Sequence, residues 1–145
     1  MRVSLLRVAG SIVHSSQDAE DAVSAAIVRA YQHADTLRDE KQMKPWMMKI
    51  TVRCCYDQLR KSRREYPTDQ EEVFDAPVFQ PNVTLYETLL ELPPTLRQVL
   101  TLYYYEGFST AQIAAVLGIA GPTVLMRLSR GRKLLRTVLE GATKE

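Results

Sequence analysis

Residues Ser109 to Arg136 read STAQIAAVLGIAGPTVLMRLSRGRKLLR, and this stretch decides the fold. Ser109 stands three residues before Gln112. That is the spacing of a capping box, in which each side chain satisfies the other's orphan backbone N–H. Ile113, Val116 and Leu117 follow at helical intervals as a buried stripe. Gly118 stands where a left-handed residue ends a helix at no Cβ cost. A second helix opens near Pro122 and runs to about Leu139. On its wheel Val124, Leu128, Gly131, Leu135 and Val138 form one inward stripe, with Gly131 expected to admit another backbone closely. The opposite side presents Pro122, Met126, Ser129, Arg130 and Lys133. Thr123 and Arg127 flank it on one edge, and Leu125, Arg132 and Arg136 on the other. A capped helix, a short Gly turn and a basic helix have the spacing of a helix-turn-helix. Such a basic helix fits the major groove of duplex DNA, with phosphate-binding arms on both sides.

Upstream of this unit, Leu85, Leu89 and Leu90 mark a short helix. Pro93 and Pro94 restart the chain, Leu96, Val99, Leu100 and Tyr103 carry the next helix, and Gly107 ends it. Residues 85–145 therefore read as a domain of four helices. Before it, residues 65–84 read as a flexible acidic linker, with Pro67, Pro77, Pro81 and no helical period. Val73, Phe74, Val78 and Phe79 in that stretch are apolar, and could dock it on a domain or on a partner.

Residues 1–64 read as a second domain, of three helices. Leu5, Val8 and Ile12 suit the first. Asp18 can cap the second, and Glu20 and Asp21 favour its positive end. Ala22, Val23, Ala26, Ile27, Ala30 and Tyr31 then form its apolar stripe. Pro45 opens the third, where its missing N–H costs nothing, and Met47, Ile50 and Cys54 face the core. Lys49, Arg53, Arg60 and Arg64 follow at steps of 4, 7 and 4 and share another face. A basic stripe along one long helix can track a phosphate backbone. The fold class is thus all-α, two small helical domains joined by the acidic linker.

Composition excludes several classes. No apolar run is long enough to span a membrane, and the start of the chain lacks the apolar core and cleavage site of a signal peptide. Both absences point to the cytoplasm, without membrane insertion. Cys54 and Cys55 are neighbours on a helix, poorly placed to bridge each other, and read as buried or half-buried thiols. His14 and His33 stand in no ligand cluster, so no metal or other cofactor is expected. No Gly-rich phosphate cradle and no nucleophile–base signature is present, so no catalytic residue and no enzyme is expected. The net charge is only +2, but it is unevenly spread. Arg60, Lys61, Arg63 and Arg64 form one basic block, and Arg127, Arg130, Arg132, Lys133 and Arg136 form another. Two basic surfaces joined by an acidic strap suit two contacts with a polyanion.

At this point the residues resemble a known family. LPPTLRQVLTLYYYEGFSTAQIAAVLGIAGPTVLMRLSRGRKLLR (Leu92–Arg136) resembles region 4 of the extracytoplasmic-function (ECF) sigma factors of RNA polymerase, a subfamily of the sigma-70 type. DAEDAVSAAIVRAY (Asp18–Tyr31) and KPWMMKITVRCCYDQLRKSRR (Lys44–Arg64) resemble their region 2. The resemblance implies a factor that binds core RNA polymerase and directs it to promoter DNA for transcription initiation. It implies that region 4 docks on the −35 element through Pro122, Thr123, Leu125, Met126, Arg127, Ser129, Arg130, Arg132 and Lys133. It implies that region 2 melts the −10 element by capturing an extruded base in the loop from Asp35 to Met43, with Lys44, Lys49, Arg53 and Arg60 toward the DNA. Asp18, Asp21, Ser24 and Ala25 would meet the polymerase clamp, and an anti-sigma factor is an expected partner. Trp46 can be a stacking platform for a base or the anchor of an amphipathic helix, and the anchor is the better reading.

The chain departs from the family pattern in places. It starts late, with the helix that would precede Met1 shortened or absent. Ser24 and Ala25 replace a usual Gln-Glu pair, and Arg53 a usual Asn. Leu125 replaces a usual Lys or Met, and Met126 a usual Ser, which would bring an apolar tip toward a base edge or a thymine methyl. Two other readings compete: a stand-alone helix-turn-helix DNA-binding regulator, and a degenerate sigma-like interaction protein. The first would need a dimer interface, and no helix is left over to make one.

Overall fold

The structure, a computed structural model, describes residues 1–65 and 85–143. Among the described residues it is all-helical, with seven α-helices: α1 (Arg2–Gly10), α2 (Ser16–Gln32), α3 (Met43–Glu65), α4 (Leu85–Leu90), α5 (Pro94–Leu100), α6 (Thr110–Leu117) and α7 (Gly121–Thr143). The chain divides into two compact units. The first holds α1 to α3 and also takes in Ala115–Gly118 at the end of α6, and the second holds α4, α5, α7 and the start of α6. Of the linker expected at 65–84, all but Glu65 lies outside the described residues, as do Val73, Phe74, Val78 and Phe79.

In the first unit α2 packs on α3 and on α1. Leu5 and Val8 of α1 are buried, and so are Ile12 and Val13 in the turn after it. The cap of α2 corrects the sequence reading. Ser15, not Asp18, is the N-cap: its Oγ accepts the Asp18 N–H at 3.1 Å. The carboxylate of Asp18 is left in the positive first turn, where it is still favourable. The stripe of α2 is also narrower than its periodicity suggests. Ala19, Ala22, Val23 and Ala26 are buried, whereas Ile27 and Tyr31 are exposed, Tyr31 by 86%. Small alanines let α2 and α3 approach closely, and the wider side chains fall outside that seam. Helix α3 buries a broad face, with Met47, Met48, Thr51, Val52, Cys54 and Cys55 all inside, while Ile50 is half-buried. Both cysteines are free.

In the second unit α5 packs on α7. The six residues of α4 are too few for a stable isolated helix. Arg97 of α5 supports its end, donating from Nη1 to the carbonyls of Leu90 at 3.1 Å and Leu92 at 3.4 Å. Helix α5 passes into a π turn at Thr101–Tyr105, where the Glu106 N–H reaches back five residues to the Thr101 carbonyl at 3.2 Å. Gly107 then adopts φ +70° and ends the segment. The buried stripe of α7 holds as read for Val124, Leu128, Gly131 and Val138, with Leu135 half-buried. What Gly131 meets is a side chain rather than a backbone, since a Cβ there would lie 2.9 Å from Cδ1 of Leu100. No single helix among the described residues is long and apolar enough to cross a membrane.

Candidate nucleic-acid interface

The helix-turn-helix is built from local rules. Both halves of the capping box are made: the Ser109 N–H donates to Oε1 of Gln112 at 2.9 Å, and the Gln112 N–H donates to Oγ of Ser109 at 3.1 Å. Gly118 has φ +68°, a left-handed conformation that an L side chain would strain. It allows the Ile119 N–H to reach the Ala114 carbonyl at 3.1 Å and closes α6. The chain then turns, and α7 leaves at 107° to α6. That angle is within the range of helix-turn-helix pairs.

On α7, Pro122, Leu125, Met126, Ser129, Arg130, Arg132 and Lys133 are exposed, and Thr123 and Arg127 are half-buried. The helix therefore brings all nine residues expected from the sequence onto its accessible sides. One of them is already engaged. The Arg132 Nε–H donates to the hydroxyl oxygen of Tyr104 at 2.6 Å, and its guanidinium stands 5.5 Å and 5.7 Å from the ring centroids of Tyr103 and Tyr104. The π turn sets those two rings edge to face at 5.0 Å. Tyr104 was invisible to sequence reasoning as a partner, because it is 28 residues from Arg132.

On α3, Lys49, Arg53 and Arg60 are exposed and Lys44 is half-buried. Asp57 interrupts this stripe. It pairs with Arg29 of α2 at 2.8 Å and also with Arg60. The hydrogen bond from Arg29 leads in holding the Asp57 carboxyl below the usual carboxylate range, with Arg60 adding to it. Arg60 thus spends part of its charge within the unit. Arg29 was missed from the sequence, where it looks like one more polar-face cation.

The loop before α3 contains two 3₁₀ turns, Ala34–Thr36 and Glu40–Gln42. Asp39 caps the second, accepting the Lys41 N–H at 3.0 Å. Helix α3 begins at Met43, two residues earlier than Pro45 suggests, because Pro45 is still among the first-turn positions that lack N–H partners. Trp46 is half-buried rather than a full core anchor, and its Nε1–H donates to Oγ1 of Thr36 at 3.0 Å. It ties the first 3₁₀ turn to α3. On α2, Asp21, Ser24 and Ala25 are exposed and Asp18 is half-buried. Asp21 accepts a hydrogen bond from Nε2 of Gln17 at 2.9 Å. Val28 and Tyr31, 57% and 86% exposed, continue the same helix side as Asp21 and Ser24.

Comparison with known proteins matches this arrangement to one family. The model for "Sigma-70 region 2" matches residues 2–65, and that for "Sigma-70, region 4" matches residues 83–135. RNA polymerase sigma factor SigV of Bacillus subtilis is 33% identical over 143 residues, covering 96% of this chain and 84% of that protein. The chain belongs to the ECF sigma factors. ECF sigma factor SigM of Mycobacterium tuberculosis is 29% identical over 141 residues, covering 93% of this chain and 71% of its own length. Among solved structures, sigma factor RpoE of Bartonella quintana in complex with the anti-sigma factor NepR matches with a TM-score of 0.78 and 27% identity, over 96% of this chain and 91% of that one. CnrH in complex with the cytosolic domain of CnrY matches with a TM-score of 0.66 and 25% identity, over 96% of this chain and 82% of that one. As a sigma factor, the protein joins core RNA polymerase and directs it to promoter DNA. The comparisons do not favour a stand-alone regulator.

Proposed function

We propose that the two parts of this sigma factor divide promoter recognition between them. Residues 1–64 hold core polymerase and the −10 element, residues 85–145 hold the −35 element, and residues 65–84 link them. The observation that carries this is the exposed side of α7, where Arg130 and Lys133 share one helix face with Met126 and Ser129, with Leu125 at its edge, directly after the turn that Gly118 closes. Cations there neutralise phosphates and position the helix, while the residues near its N-terminus meet base edges. Pro122, Thr123 and Arg127 border the same contact, and Arg132 joins it from its place against Tyr104.

In the first unit Lys44, Lys49, Arg53 and Arg60 follow the phosphates of the −10 strand. The loop from Asp35 to Met43 receives an extruded base, offsetting an unstacking cost of a few kcal/mol. Trp46 supports that loop through Thr36. Asp18, Asp21, Ser24 and Ala25 meet the polymerase clamp, and exposed Val28 and Tyr31 extend that surface with apolar area. The factor works by binding alone, without catalysis, metal or cofactor, in the cytoplasm. An anti-sigma protein regulates it, a partner class that the related RpoE of Bartonella quintana is bound to in its complex with NepR. The apolar groove formed by Leu85, Leu89, Tyr104, Leu135 and Leu139 in the second unit gives such a partner a surface.

Co-purification with bacterial core RNA polymerase, followed by run-off transcription from a fragment library, tests the reading. Binding and new start sites sharing an upstream element are expected. A folded chain that captures no polymerase sinks it. Asp21→Ala is expected to weaken polymerase capture with an unchanged melting temperature; a melted domain would instead make Asp21 structural.

A further inference from the structure

We infer that the upstream promoter element is read through thymine methyl groups, contacted by Leu125 and Met126 at the head of α7. The inference rests on α7 being the helix that meets the duplex. In a helix-turn-helix the N-terminal residues of the second helix reach the base edges. Paired hydrogen bonds to those edges need Arg or Lys for guanine, Asn or Gln for adenine, and Asp or Glu for cytosine. From Gly121 to Met126 the helix has Gly, Pro, Thr, Val, Leu and Met, and none of those types. Val124 is fully buried and Thr123 half-buried. The large exposed side chains here are apolar: Leu125 is 58% exposed and Met126 44% exposed.

These two tips do not belong to a separate apolar patch. Ser129, Arg130 and Lys133 are exposed on the same side of the helix, so the surface that covers the tips also meets cations. A polyanion with apolar points in its groove fits both demands, and in the major groove that point is the C5-methyl of thymine. Arg130 and Lys133 stand about 6 Å and 10 Å further along the axis than Met126, near enough to hold flanking phosphates while the tips reach the bases. Phosphate contacts carry no sequence information directly. At the positions under Leu125 and Met126 discrimination therefore falls to methyl contacts and selects A·T pairs there. Successive residues diverge by about 100°, so the two tips address different base-pair positions. Met126, unbranched and adaptable, tolerates a shift in register better than Leu125.

The test uses holoenzyme reconstituted from the full chain and bacterial core polymerase. The upstream element is selected from a library of random duplexes, and each of its thymines is replaced in turn by deoxyuracil, which deletes only the methyl. At one or two positions the replacement is expected to weaken binding about fourfold, the effect of losing one methyl-sized apolar contact. Leu125→Ala or Met126→Ala should make thymine and uracil equivalent at the matching position, with the salt dependence of binding unchanged. Equal binding of thymine and uracil duplexes at every position overturns the inference, as does a methyl preference that survives both substitutions. In those cases initiation at the selected sites leaves the sigma-factor reading standing. Failure to initiate at any site overturns that reading, and this inference with it.

Discussion

Gly131 shows how single atoms set what α7 tolerates. A Cβ at this position would lie 2.9 Å from Cδ1 and 3.1 Å from Cγ of Leu100, which is fully buried. Displacing one terminal methyl costs about as much as an off-rotamer angle, roughly 0.5–1.5 kcal/mol. Replacing a mid-helix glycine by alanine returns about 0.8–1 kcal/mol. Gly131→Ala should therefore shift stability by less than about 1 kcal/mol in either direction. Gly131→Val adds two more atoms against the same side chain, gains less helix propensity, and should lose about 2 kcal/mol, on the scale of core overpacking. Denaturant midpoints of the two variants check this, and a tolerated valine would mean that α5 yields. The other residue-scale case is Cys55. Burial, with the neighbouring Cys54 adding to it, pushes its thiol up to about 12. The unfolded thiol ionises near pH 8.5. A raised folded pKa means that the stabilisation is complete below the unfolded value and is lost as pH rises toward the folded one. Stability should thus fall between about pH 8.5 and pH 12, and the fall should be shallower in Cys55→Ala. An identical alkaline slope in wild type and variant would show that the thiol is not held neutral. The sequence reading placed Cys54 on the core-facing stripe and left Cys55 buried or half-buried; both are buried. It missed Arg29 and Tyr104, whose roles depend on partners far along the chain, and it placed the local cap of α2 at Asp18 instead of Ser15.

At the scale of elements, legibility followed locality. The capping box at Ser109 and Gln112, the left-handed Gly118 and the proline start of α5 are rules within a few residues of chain, and each stands in the structure as read. The π turn after α5 was not legible, because the same apolar spacing suits an uninterrupted α-helix. The width of the α2 stripe was not legible either. Periodicity says which side faces inward, but alanine-sized contacts with α3 decide how far the seam extends, and they leave Ile27 and Tyr31 in water. Because α6 has only eight residues, its own hydrogen bonds stabilise it little and its cap matters more. Ser109→Ala should cost about 1 kcal/mol. For a unit of this size that lowers the melting temperature by about 5 °C. Ser109→Asp, which keeps an acceptor at the N-cap, should restore most of it. A null effect of the alanine in calorimetry would mean that α6 is held by packing alone.

For the molecule as a whole, a net charge of +2 hides where the charge is useful. Nucleic-acid affinity depends on how many cations meet phosphates, not on the net charge. Arg130 and Lys133 are exposed on the side of α7 opposite its buried stripe, and Arg132, also exposed, is held by Tyr104. The three cations therefore should not count equally. Removing a phosphate contact makes the dependence of log affinity on log salt shallower by about 0.9 per contact. Arg130→Ala and Lys133→Ala should each reduce the slope by about that amount. Arg132→Ala should reduce it by less than half as much, because its guanidinium hydrogen bond is already spent within the unit. Tyr104→Phe frees that donor without removing the ring, and should make the slope steeper than in wild type. Titration of a promoter duplex with holoenzyme at several salt concentrations measures all four. Unchanged slopes in Arg130→Ala and Lys133→Ala would show that this face does not meet DNA. Equal effects for all three cations, with no change in Tyr104→Phe, would show that Arg132 leaves Tyr104 at no cost and binds as freely as its neighbours.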